Sequence, residues 1–155
     1  MAVEPTVKVQ REDFDATEEA SRLTSGRKDV GALVSFVGLC RDEAGTLNAL
    51  ELEHYPGMAE AELGRIASEA IECWPLTGLT VIHRYGKIAP GKNIVLVIAA
   101  SAHRRAAFEA ADFLMDFLKT RAPFWKKEHL NSGKNSSWVD ARADDEEDAT
   151  RWSNT

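Results

Sequence analysis

Two amphipathic stretches, each closed by a proline, constrain the fold more than anything else in the chain. In Met58–Trp74, the residues Leu63, Ile66, Ala67, Ala70 and Ile71 recur at three- and four-residue steps, which sets them on one helix face; Pro75 ends the run. In Arg104–Arg121, Ala107, Phe108, Ala111, Leu114, Met115 and Leu118 form one apolar face, widened by Phe113 and Phe117 and stopped by Pro123. A helix that apolar has to be covered on most sides. Between these helices the pattern switches to strands. Val30–Cys40 is a β-rich run with glycines near both ends and is expected to be a central strand. Leu47–His54 alternates apolar and polar residues after Asn48. Leu79–Tyr85 and Asn93–Ser101 read as two more strands joined across Gly86–Gly91. Thr6–Gln10 reads as a short strand, Phe14–Thr24 as a short helix, and Phe124–Leu130 and Ser137–Arg142 as strands around the polar turn Asn131–Asn135. The order βαββαββαββ gives an α+β or α/β sandwich with helices laid on a mixed sheet.

The 155 residues suit one domain. A chain of this length buries about 70% of its unfolded surface and needs no disulfide or metal staple. Asp144–Asp148 is a run of five acids, frayed or helical at the surface, so the domain is placed at 1–142 with an acidic tail at 143–155. Cys40 and Cys73 belong to no C-x-x-C pair, which leaves zinc and thioredoxin chemistry without support. The first residues lack a signal-peptide core, and the longest apolar run, Ile94–Ala100, is too short for a bilayer. A cytoplasmic protein with reduced thiols, and no membrane partner, is expected.

The net charge of −6 argues against a polyanion binder such as duplex DNA, but it hides an asymmetry. From Arg84 to Lys134 there are ten Lys and Arg against four Asp and Glu, while the rest of the chain is strongly acidic. A basic block inside an acidic protein suits a small anion, an acidic partner tail or both; the bland alternative is a solvated basic face.

Two segments within that block carry candidate chemistry. Ser101-Ala102-His103-Arg104-Arg105 lies where a strand ends and a helix begins. Free N–H groups there favour an anion, and cations placed there oppose the helix dipole unless one is bound. In Lys119–Lys127, four cations surround Phe124 and Trp125. Lys119 shares a helix face with Met115, so its stem runs along apolar surface towards a cleft. Lys126 and Lys127 point to opposite faces of a strand, so only one of them serves a given site. A lysine-rich edge strand that resists aggregation is the alternative, and Phe124 and Trp125 among cations would also suit stacking on single-stranded nucleic acid. Arg41 follows the first apolar strand in a glycine-containing loop, where an arginine is commonly solvated or paired. His54 and His83 read as hydrogen-bonded structural residues. Metal-ligand and phosphate-loop spacings are absent from the sequence.

Four motifs resemble the MoaE family, the large catalytic subunit of molybdopterin synthase: Leu52-Glu53-His54-Tyr55-Pro56-Gly57-Met58, Val81-Ile82-His83-Arg84, Ser101-Ala102-His103-Arg104, and Lys119-Thr120-Arg121-Ala122-Pro123-Phe124-Trp125-Lys126. The resemblance runs from about Gly31 to Arg142. It implies an α/β hammerhead fold with an additional antiparallel β-sheet. It also implies a sulfurtransferase of molybdenum-cofactor biosynthesis acting on cyclic pyranopterin monophosphate (precursor Z). Sulfur would arrive as the C-terminal Gly-Gly thiocarboxylate of a small ubiquitin-like carrier subunit, which removes any need for a catalytic cysteine. The implied assembly is a homodimer of large subunits within a heterotetramer, with no cofactor and no metal. Lys119 and Lys126 fall on the family's catalytic lysines, and Arg41, His103 and Arg104 on its anion-binding positions. Arg142 falls on an arginine that reaches a neighbouring subunit's site, and Phe36 and Met115 would line the pocket or the carrier-tail channel. One departure is Leu39, where the family often has a basic residue. Cys40 beside Arg41 reads as a small buried hydrophobe, with a reactive thiol as the alternative.

Overall fold

The computed structural model describes residues 3–42, 45–132 and 152. In chain order the elements are β1 (Thr6–Gln10), α1 (Ala16–Thr24), β2 (Ala32–Leu39), β3 (Leu47–His54), α2 (Met58–Cys73), β4 (Leu76–Arg84), β5 (Gly86–Ile88), β6 (Asn93–Ser101), α3 (Arg104–Thr120) and β7 (Phe124–Leu130). They build an α+β fold with two sheets. The larger has the order β1-β4-β6-β2, in which β1 and β4 are parallel and the other pairs antiparallel. The smaller, β5-β3-β7, is wholly antiparallel.

The larger sheet is covered on both faces, and the two-residue period of β4 and β6 decides what meets each cover. Leu79, Val81, Val95, Val97 and Ala99 face α2 and α3, which contribute Leu63, Ile66, Ala70, Ala107, Ala110 and Leu114. Ile82, Leu96 and Ile98 face the opposite way, against Ala16, Ala20 and Leu23 of α1. Small residues on α2 and α3 let both helices lie close to the sheet. Each fully buried Leu or Ile contributes about 1.5–3 kcal/mol. A separate small core of Cys40, Leu52 and Ile88 sits under the second sheet.

Local signals set the boundaries. The Asp15 side chain accepts the Glu18 backbone N–H at 3.0 Å, so α1 begins at Ala16 rather than Phe14. Gly57, at φ +83°, makes the turn into α2, where its N–H donates to the Glu60 carboxylate at 2.8 Å.

Three expectations need correction. Among the described residues β2 lies at the edge of its sheet, not at its centre. An apolar run reports that both faces are covered; it carries no information on whether both edges are paired. Gly86–Ile88, read as part of a connection, is a short strand against Leu50–Leu52, too short to show a period. β4 starts at Leu76, three residues early, because a register irregularity between Leu76 and Gly78 interrupts its alternation. The strand expected at Ser137–Arg142 lies outside the described residues, as does all of the acidic tail except Trp152. That indole packs edge-on against Trp74 and Phe113, with ring centroids 5.9 and 5.6 Å away, and its Nε1–H donates to the buried Asp116 carboxylate.

Candidate active site

The C-terminal end of α3 and the start of β7 flank a cleft of about 240 Å³. Met115, Leu118, Lys119 and Thr120 line it from α3, and Phe124, Trp125 and Lys126 from β7. Ile94 and Val95 of β6, Gly38 and Leu39 of β2, and His83 of β4 close the remaining walls. Both sheets therefore contribute. Gly38 is required by its neighbours: a Cβ there would sit 2.7 Å from Val95 Cγ1.

Lys119 and Lys126, expected to act together, do line one cleft, although they come from different elements. Met115, one helical turn before Lys119, lines the same cleft and packs against the main core. Lys127 is not among the lining residues; in β7 it is in register with Glu51, whereas Lys126 is in register with the fully buried Leu52. Among the described residues β7 is also an edge strand, where lysines discourage edge-to-edge pairing.

His83 is the residue that sequence reasoning undervalued. It is buried, 6% exposed, yet forms part of the cleft wall. Its Nδ1 lies 2.8 Å from the Arg84 carbonyl oxygen, which only accepts, so Nδ1 carries the proton and Nε2 the lone pair. Burial, reinforced by Lys126, Lys119 and His54, pushes its pKa down to about 4. The cleft thus combines two lysine side chains with an imidazole that stays neutral. The available signal was a histidine interrupting the apolar run Leu79–Ile82.

The other expected residues lie elsewhere. His103 is the N-cap of α3 and Arg104 its first residue; both are exposed, and the first turn holds no acid. Arg104 to Lys119 spans about 22 Å of helix at 1.5 Å per residue. His103 and Arg104 therefore do not meet Lys119 in one cleft of one chain. Arg41 is exposed just beyond β2. Phe36, 40% exposed on β2, does not line the cleft, but its ring lies alongside Gly38, which does. Arg142 lies outside the described residues. Cys40 is 3% exposed and burial raises its thiol pKa, which fits a packing role and not a nucleophile.

Two other concavities are less suited to chemistry. One, between α2 and α3, is lined by Arg65, Asp116 and Trp152; the other mixes Arg11, Lys87, Glu51 and Glu53 at the rim of the second sheet. In both, carboxylates lie among the cations.

The sequence from residue 9 to 121 matches the family model described as MoaE protein. The chain is 70% identical over 148 residues to a molybdopterin synthase catalytic subunit from Mesorhizobium japonicum, covering 96% of this chain and 93% of that one. Among solved structures, it is similar to a molybdopterin biosynthesis MoaE protein from Burkholderia ambifaria, at TM-score 0.82 and 44% identity, covering 96% of this chain and 98% of that one. It is also similar to a molybdopterin synthase from Staphylococcus aureus, at TM-score 0.74 and 30% identity, covering 83% and 95%.

Proposed function

This chain belongs to the MoaE protein family, and from that premise we propose that it is the catalytic subunit of a molybdopterin synthase. It transfers sulfur from the thiocarboxylated C-terminus of a small carrier subunit to cyclic pyranopterin monophosphate, forming the dithiolene of molybdopterin. The observation that carries this reading is the convergence of Lys119 and Lys126, from separate elements, on one cleft.

Each candidate residue has a role in this reading. Lys119 stabilises the negative charge that develops at the carrier's terminal carbonyl oxygen, or moves a proton there. Lys126 contacts the pterin or assists opening of the cyclic phosphate. Met115 and Phe36 shape the channel that admits the extended Gly-Gly tail. Arg41, His103 and Arg104 hold phosphate, the last two at a helix start that has no acid to balance its dipole.

The length of α3 fixes one requirement. His103 and Arg104 cannot serve the Lys119 of their own chain, so they serve the cleft of a second copy. A homodimer then supplies two composite sites, each open to one carrier, as a heterotetramer requires; Arg142 is assigned to the same cross-subunit role. Residues 1–142 form the catalytic domain in this scheme.

The test is reconstitution: purified protein, thiocarboxylated carrier and cyclic pyranopterin monophosphate, with dithiolene product measured. Product formation is expected. A protein that binds carrier and yet forms no product would overturn the assignment.

A further inference from the structure

We propose that His83 is a positioning residue for Lys126, acting through the ring of Phe124. The imidazole lies against Phe124 with ring centroids 3.8 Å apart and planes 14° from parallel. The bond from Nδ1–H to the Arg84 carbonyl fixes the imidazole on β4. Phe124 and Lys126 are two residues apart on β7, so they project to the same side of the strand, and both line the cleft. Holding the first ring therefore holds the stretch of β7 from which the Lys126 side chain enters the cleft.

β7 needs such an anchor. Among the described residues it pairs only with β3, and it follows a turn with few constraints of its own. The Arg121 and Ala122 N–H groups both return to the Phe117 carbonyl, closing α3, and the Phe124 N–H reaches only Ala122 O, at 2.8 Å. The ring contact, with the packing of Phe124 against the main core, ties β7 to the larger sheet. It is continued on the other side: His54 lies 6.0 Å from Phe124, Tyr85 lies 4.3 Å from His54, and the Arg11 guanidinium sits 4.8 Å over Tyr85. The column joins both sheets and ends at the cleft.

A neutral ring suits this place. The groups around His83 are Lys119, Lys126 and His54, none of them an acid, so a charged imidazole would repel the amines it helps to arrange. His83 therefore acts by shape and by one fixed hydrogen bond, and not as a proton donor in the reaction.

The experiment compares His83→Asn, which keeps a donor towards the Arg84 carbonyl but removes the ring, with His83→Phe, which keeps the ring. Lysines are reductively methylated with ¹³C, and the Lys126 methyl resonance is titrated with Lys127 as the internal reference. His83→Asn should shift the Lys126 midpoint by at least about 0.5 pH unit and leave Lys127 unchanged; His83→Phe should restore Lys126. In sulfur-transfer assays, which rest on the proposed function, His83→Asn should lower kcat about tenfold with KM within about twofold. Phe124→Leu removes the same contact from the other side and decides the matter if His83→Asn does not fold. An unchanged Lys126 titration in a folded ring-deleted variant would overturn the proposal. If the wild type transfers no sulfur, the proposed function fails, but the resonance test still decides the role of His83.

Discussion

Cys40 and His83 had the same uncertain standing in the sequence, and three-dimensional context separates them. Cys40 precedes Arg41 and invited a thiol role, yet burial beneath the second sheet raises its pKa and removes the thiolate on which reactivity depends. Cys40→Ser should therefore keep sulfur transfer within about threefold, at a cost in thermal stability of about 1–2 kcal/mol for a buried hydroxyl; a folded but inactive variant would restore the thiol role. His83 looked structural and proves to be both structural and part of the cleft. Its pKa of about 4 in the folded protein lies below the ordinary value of 6.5. Between pH 6.5 and 4 the unfolded chain binds a proton that the folded chain refuses. Stability is full above pH 6.5 and falls as pH drops through that window, by up to roughly 3 kcal/mol. Urea denaturation at pH 7 and pH 4.5 should show that loss in the wild type, and His83→Phe should lack most of it. Parallel pH dependence in both proteins would contradict the linkage.

The long elements were legible because their signals are local. The bounds of β3 follow from alternation, those of β6 and β7 from the flanking turn residues, and those of α2 and α3 from apolar spacing and prolines. What escaped depends on pairing across the sheets. The edge position of β2 and the short β5 are set by hydrogen bonds to distant strands, which no periodicity encodes. The same holds for the site. Helical spacing to Met115 pointed to Lys119 and the family resemblance to Lys126, but the distance between the two ends of α3 became decisive only once the helix was taken as a rigid rod. The junction before α3 shows how tightly that rod is seated. A Cβ at Gly31 would lie 2.1 Å from the Ala102 carbonyl oxygen, a backbone atom that cannot swing aside. Gly31→Ala should destabilise the fold by at least about 2 kcal/mol, read as a lowered urea midpoint with an unchanged m-value. A wild-type midpoint would mean that the β6–α3 junction yields without cost.

At the scale of the whole molecule, an acidic protein sets its candidate site cations at or beside the two ends of one helix. One end holds His103 and Arg104, the other Lys119, with Lys126 beside it. If composite sites form across a dimer, Lys119→Ala and Arg104→Ala homodimers are each inactive, but mixing and re-equilibrating them recovers up to about half the wild-type activity per mixed dimer, because one of its two sites is complete. Absence of recovery, with subunit exchange demonstrated, would contradict the composite-site assignment.

The most direct measurement is single-turnover sulfur transfer from thiocarboxylated carrier to cyclic pyranopterin monophosphate by the wild type, Lys119→Ala and Lys127→Ala, with carrier affinity measured alongside. Lys119→Ala should fall at least about 100-fold with carrier affinity within a few-fold, while Lys127→Ala, on the opposite face of β7, stays within about twofold. Transfer at the wild-type rate by a folded Lys119→Ala protein would contradict the assignment of the cleft as the site of sulfur transfer.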